Sequence, residues 1–170
     1  MKIPLKKARD YAEKIVEELR PMCERIEIAG SIRRQCPEVG DIDLVIEPKR
    51  GQMHAIKSRC LRGGPMVMAD GDLNYLLMLV GNVQLDIFFA RAQVDDLLAP
   101  KPPNFGTILL CRTGSKEHNI WMISKAKAAG VAWLPYEGVL MNGQIVASET
   151  EEEIFRMIGV EYVKPENRSK

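Results

Sequence analysis

No C-x-x-C pair occurs in this chain. Its four cysteines, Cys23, Cys36, Cys60 and Cys111, lie far apart in sequence, which argues against a zinc ribbon and for reduced thiols in a reducing compartment. There is no excess of either charge. Twenty-four basic residues face 23 acidic ones, so the global balance carries no nucleic-acid signal. No apolar run approaches the roughly 20 residues of a membrane span. The lysine-rich start has no apolar stretch behind it, so it is not a secretion signal. No internal repeat or low-complexity tract is visible. What remains is a chain of 170 residues, 46% hydrophobic, enough for one domain or two small subdomains sharing a core.

What is present is a set of carboxylates. Gly40-Asp41-Ile42-Asp43 opens an apolar strand, and Asp86 lies inside Val83-Gln84-Leu85-Asp86-Ile87-Phe88-Phe89. Strand residues alternate faces, so Asp41 and Asp43 point one way while Ile42, Leu44 and Ile46 point into a core. Neighbouring carboxylates repel, and burying them is costly unless a cation neutralises them. A hard, oxygen-seeking cation fits, Mg²⁺ or Mn²⁺. A third carboxylate on an adjacent strand would complete a two-metal site for in-line phosphoryl displacement. Asp70-Gly71-Asp72 reads as a solvated turn and Asp95-Asp96 as helix surface.

Ahead of the carboxylates runs Gly30-Ser31-Ile32-Arg33-Arg34. A glycine and a serine between a strand and a helix present backbone N–H groups and a hydroxyl to a phosphate. Arg33 or Arg34 adds charge and a forked donor. Two basic stretches, Lys2 to Arg9 and Lys49 to Arg62, read equally well as solvated faces or as phosphate-facing ones.

The periodicity predicts a helix over residues 5–20, ended by Pro21. It predicts strands at Ile26 to Ala29 and Ile42 to Glu47, and a short basic helix from Gln52 to Leu61. A hairpin is expected from Leu73 to Phe89 across Gly81-Asn82, then a helix from Ala92 to Leu98. Pro100-Lys101-Pro102-Pro103 stiffens the chain and sets a boundary between units 1–102 and 103–170. Beyond it a helix is expected from Ser115, its N-cap, to Ala129, with His118 toward the surface or a substrate. Short strands follow up to Ala147, turning at Asn142-Gly143. Ser148 with Glu151, or Thr150 with Glu153, offers a capping box for a last helix ending at Ile158.

Taken in order, Gly30-Ser31-x-Arg33-Arg34, Gly40-Asp41-x-Asp43-Leu44, Leu85-Asp86-Ile87, Thr113-Gly114-Ser115-Lys116-Glu117-His118-Asn119, Leu134-Pro135-Tyr136-Glu137-Gly138-Val139 and Tyr162-Val163-Lys164-Pro165-Glu166-Asn167-Arg168 resemble family X DNA polymerases, the DNA polymerase beta family. The resemblance implies an α+β fold. Residues 1–102 would form a nucleotidyltransferase palm, a mixed sheet flanked by helices, and residues 103–170 a small α/β nucleotide-selection subdomain. The stretch before Leu5 leaves no place for the family's lyase domain or DNA-binding hairpin, so a minimal form is expected.

The resemblance also assigns roles. Asp41 and Asp43 would ligate two Mg²⁺ ions, with Mn²⁺ as a substitute. Asp86 would hold the catalytic ion and orient the primer 3′-hydroxyl. Gly30, Ser31, Arg34 and Gly40 would hold a nucleoside triphosphate, with Arg112, Gly114, Lys116 and Asn119 around its sugar and base. Lys57 and Arg59 fall in the second basic stretch, expected to meet DNA. The implied activity is that of a monomeric, intracellular DNA-directed DNA polymerase, cytoplasmic or in the host cell if the source is viral. It would act on gapped or nicked duplex in short-gap repair. Cys111-Arg112 replaces an aromatic pair usual in the family, and Ile123 stands in place of an arginine. Loose sugar selection and modest fidelity are therefore expected, with Arg112 able to meet a sugar hydroxyl. The rival readings are a template-independent nucleotidyltransferase and a non-catalytic DNA-binding or scaffold module, the latter disfavoured by three retained carboxylates.

Overall fold

The structure, a computed structural model, describes residues 2–61, 66–67, 75–80, 83–91 and 101–168. The first helix, α1 (Leu5–Leu19), follows a two-residue strand β1 (Ile3–Pro4). Ala8, Ala12, Val16 and Leu19 make its buried stripe, and the small alanines let it lie close on a sheet. Pro21 cannot continue the helix, and a 3-10 turn (Arg20–Met22) leads into β2 (Cys23–Ile28). After a single turn of helix, α2 (Gly30–Arg33), β3 (Glu38–Val39) pairs with β1, and β4 (Asp41–Pro48) enters the main sheet. Helix α3 (Met53–Leu61) and strands β5 (Met66–Val67), β6 (Tyr75–Val80) and β7 (Val83–Phe89) complete this part.

The main sheet has the order β2-β4-β7-β6-β5. Strand β4 runs antiparallel to β2 and parallel to β7, while β6 and β7 form an antiparallel pair. A parallel pair needs a crossover, and α3 lies within it. The sheet is thus mixed. Alternation along β4 and β7 divides the apolar residues cleanly. Ile42, Leu44 and Ile46 with Leu85, Ile87 and Phe89 pack under α1 and α3. Val45 and Phe88 face the opposite side, toward Phe105, Ile108 and Leu109. A fully buried aliphatic side chain of this kind contributes about 1.5–3 kcal/mol, so register on both strands is firmly held.

The C-terminal part comprises α4 (Phe105–Thr113), α5 (Lys116–Ala128), strands β8 (Ala132–Leu134), β9 (Gly138–Met141) and β10 (Gln144–Val146), and α6 (Glu151–Ile158). The strands form an antiparallel sheet of order β10-β9-β8. Leu110, Met122, Trp133, Val139, Ile154, Phe155 and Ile158 make a second apolar cluster. Thr150 and Glu153 form the capping box of α6, and Ser115 caps α5 by accepting from the His118 N–H.

Helix α4 is absent from the sequence expectations. It is buried almost all round, so it lacks the amphipathic period that reveals a helix. It also contains Gly106, which reads as a weakness. In the fold a Cβ there would overlap the Thr150 backbone, so the glycine permits α4 to touch the start of α6. The other helices and strands expected within the described residues form within two or three residues of the expected ends. The Gly81-Asn82 turn, the Ala92 to Leu98 helix, Asp70-Gly71-Asp72 and Asp95-Asp96 lie outside the described residues. Among the described residues, no helix is long and apolar enough to cross a membrane.

Candidate active site

Parallel pairing of β4 with β7 sets Asp43 directly beside Asp86, with Asp41 beside Gln84. By alternation all three carboxylates share the face that carries Val45 and Phe88. Asp86 is 8% exposed, and its Oδ1 accepts from Gln84 Nε2 at 2.8 Å. Burial pushes the Asp43 carboxyl up to about 7, and the charges of Asp41 and Asp86 push the same way; Arg112 and Arg34 pull it back down. Two adjacent strands therefore hold a cluster that resists its own ionisation.

The loop before the site is tied to it. The Ala29 N–H donates to the Asp43 carbonyl at 2.8 Å. Gly30 has φ +59, and a Cβ there would overlap the Asp43 carboxylate. Both the backbone angle and the space demand glycine at this position. The Ser31 hydroxyl is buried with no hydrogen-bond partner among the described residues. Such an orphan beside an acidic cluster suits an incoming polar ligand. Gly40 is exposed, immediately before Asp41.

Arg33 and Arg34 diverge. Arg34 donates to the Thr113 carbonyl, next to Gly114, and acts electrostatically on Asp43. Arg33 turns away from the carboxylates. It donates to Thr113 Oγ1 at 2.7 Å and to both oxygens of Glu151, at 2.8 and 2.9 Å. Glu151 is also held by Arg168, at 2.7 and 3.2 Å, and by the Tyr162 hydroxyl at 3.0 Å. Burial would raise the Glu151 pKa, but hydrogen bonds from Arg168 and Arg33 outweigh it and hold it below the usual range.

Around the end of α4, Arg112 stacks on Phe88 and Tyr136 and donates to the Tyr136 hydroxyl. Its guanidinium is thus engaged with two rings. Asn119 Nδ2 donates to the Cys111 carbonyl at 2.8 Å, while Lys116 is exposed at the start of α5. The Gly114–Ser115 peptide is cis. Ile120 and Ile123 stand out on the same helix, 57% and 48% exposed.

Lys57 and Arg59 are not brought to this face. Helix α3 packs on the other side of the sheet, where Lys57 lies over the Phe89 ring and Arg59 pairs with Glu18 at 2.5 Å. The sequence pattern of charges carries no information about which sheet face α3 covers. The ring clamp on Arg112 and the Arg33–Glu151–Arg168 network escaped sequence reasoning as well. The first had a signal, since Phe88 shares the face of Asp86. The second joins residues far apart in the chain and had none.

His118, expected toward the surface or a substrate, is 8% exposed. It packs against Trp121 and Phe155, and neither ring nitrogen has a hydrogen-bond partner among the described residues. Burial, then the charge of Arg168, lowers its pKa from 6.5 to about 4, against an opposite pull from Glu151. The fold therefore holds His118 neutral, and its contribution is present above about pH 6.5 and lost as pH falls toward 4. His118→Phe should be at least as stable as wild type at pH 7 and should lose less stability over that window. Urea titrations across the window check this, and parallel acid limbs would contradict it.

Among the described residues, no three His, Cys, Asp or Glu side chains stand together as a ready-made metal cage. Mg²⁺ characteristically takes one or two carboxylates and completes its shell with substrate phosphates and water. The all-oxygen donors, the upward pressure on Asp43 and the orphaned Ser31 hydroxyl fit that mode.

Comparison with known proteins agrees with the fold. Residues 108–169 match the DNA polymerase beta thumb family. The whole chain superposes on Leishmania infantum polymerase beta solved as a ternary P/T complex, with TM-score 0.71 and 21% identity over 77% of that chain. It superposes equally on the same organism's enzyme in a ternary gap complex, with TM-score 0.72 and 20% identity over 71% of that chain. No curated protein matches significantly.

Proposed function

We propose that this chain, polymerase beta-like in its fold and in its C-terminal segment, is a family X DNA polymerase that adds a deoxynucleoside monophosphate to a primer 3′-hydroxyl. The observation that carries this is the register pairing of Asp43 with Asp86 beside the Ala29–Gly30 turn. Residues 1–102 serve as the palm and 103–170 as the nucleotide-selection part.

Asp41, Asp43 and Asp86 would hold Mg²⁺ or Mn²⁺ together with triphosphate oxygens. Bound there, the ions neutralise charge on the transferring phosphoryl group and favour the ionised primer hydroxyl. Ser31, with its unsatisfied hydroxyl, and the Gly30 backbone receive the triphosphate. Arg34, anchored on the Thr113 carbonyl, directs charge to the same place. Gly114, Lys116 and Asn119 border the sugar and base, and Asp86 orients the attacking oxygen. Short-gap filling in repair is the setting this reading favours, because relatives of this fold have been solved in gap and P/T complexes.

Primer extension on single-stranded, nicked and gapped substrates, with matched dNTP and rNTP, tests the reading. Extension that follows the template base and needs Mg²⁺ or Mn²⁺ is expected. Equal extension of an untemplated strand would favour the template-independent nucleotidyltransferase instead. Measurable rNTP use is expected, since small Cys111 stands where the family has a bulky ring.

A further inference from the structure

Arg112 lies in the last turn of α4, and its placement has a meaning beyond packing. Its guanidinium carbon lies 3.7 Å from the centre of the Phe88 ring and 5.1 Å from that of Tyr136. One Nη donates to the Tyr136 hydroxyl, while Nε is buried with no partner among the described residues. Phe88 follows Asp86 by two residues on one face of β7, and its register partner Val45 follows Asp43 likewise. Two residues along a strand span roughly 7 Å. The aromatic clamp therefore fixes a positive charge against the ring that shares the carboxylates' face, within electrostatic reach of Asp43. That charge is permanent, because arginine does not deprotonate in proteins.

We propose that Arg112, held between Phe88 and Tyr136, is with Arg34 a resident counter-cation of the Asp43–Asp86 pair and sets how tightly the site takes a divalent metal. The inference rests on the metal-site reading above. Without metal, the guanidinium offsets part of the repulsion that burial imposes on the two carboxylates. A divalent ion entering the site meets that same charge and is opposed by it. A clamp serving packing alone would need only the apolar stem between the rings. The electrostatic pull of Arg112 on Asp43 is the part that packing does not require. Arg112 is thus a positioning and tuning residue, acting on the metal through the carboxylates.

The test is a Mn²⁺ titration of the full chain without nucleotide or DNA, following the paramagnetic resonance signal of free Mn²⁺. Arg112→Met keeps an unbranched stem between the rings and removes the charge. It should tighten Mn²⁺ binding about threefold to tenfold, while Arg112→Lys stays within about twofold of wild type. Arg112→Gln, able to reach the Tyr136 hydroxyl, serves as a second neutral variant, and thermal melting verifies each fold. Unchanged or weaker Mn²⁺ binding in a folded neutral variant would overturn the inference alone. So would unfolding of both neutral variants while Arg112→Lys folds, because the charge would then serve the fold. Wild-type protein binding no more Mn²⁺ than Asp86→Asn would instead overturn the metal site, and the inference with it.

Discussion

Asp86→Asn should abolish nucleotidyl transfer while leaving the fold intact. The substitution preserves the shape of a side chain that is 8% exposed, and an Asn Oδ1 can still accept from Gln84 Nε2. What it removes is a negative charge in register with Asp43. Loss of metal-borne charge stabilisation should cost about 4 kcal/mol or more of barrier, on the order of a thousandfold in rate. Stability should move the other way. Burial, Asp41 and Asp86 raise the Asp43 carboxyl from 3.8 to about 7, so the native state binds the extra proton, and metal-free stability falls as pH rises through that window. Removing the Asp86 charge relieves part of this penalty. Metal-free Asp86→Asn should thus melt no lower than wild type at pH 8. Single-nucleotide extension rates and melting curves decide both points; a variant keeping a tenth of wild-type rate would sink the catalytic assignment.

Glu151→Ala should be the most damaging substitution for stability. Glu151 is 2% exposed and Arg168 is 1% exposed, and Arg33 approaches from the other half of the chain. Deleting the carboxylate leaves two guanidinium groups without their ion partner, one of them fully enclosed. Breaking a buried pair in this way costs about 3–5 kcal/mol. The exposed pair Arg59–Glu18 is a built-in control, because a surface pair contributes only about 0–1 kcal/mol. Urea unfolding of Glu151→Ala and Glu18→Ala should therefore separate widely. Glu151 also defines the acid limit. Its pKa is held below the usual 4.5, so its contribution is complete above that value and lost as pH falls through the lowered one. That window opens at lower pH than the one set by His118. A midpoint for Glu151→Ala close to that of Glu18→Ala would refute the network's role.

Local chemistry was what the sequence made legible. Alternation along β4 placed Asp41 and Asp43 on one face, and the capping box and Ser115 marked two helix starts. Such signals sit within a few residues of each other, where backbone geometry alone decides the outcome. The direct adjacency of Asp43 and Asp86 needed one further fact, the parallel pairing of β4 with β7, which no local pattern specifies. Beyond that range the reading failed for physical reasons. Helix α4 has no polar face to give it a period. Lys57 and Arg59 look like any basic patch until the sheet face under α3 is known. His118 is polar by type, yet its surroundings are Trp121 and Phe155.

Gly106 shows how far a single backbone contact can reach. A glycine inside a helix gives up about 1 kcal/mol of propensity relative to alanine, and a reader counting propensities would mark it for replacement. In this fold it is a spacer. Its bare Cα lets α4 rest on the Thr150 backbone, and Glu151 is the next residue. Any side chain at 106 would act as a wedge, lifting the start of α6 and drawing the Glu151 carboxylate away from Arg33. The tolerance of this position to mutation is therefore governed by charge geometry on the far side of the contact, and helix stability has little say in it. A side chain at 106 would be accepted only alongside a compensating retreat of the Thr150 backbone.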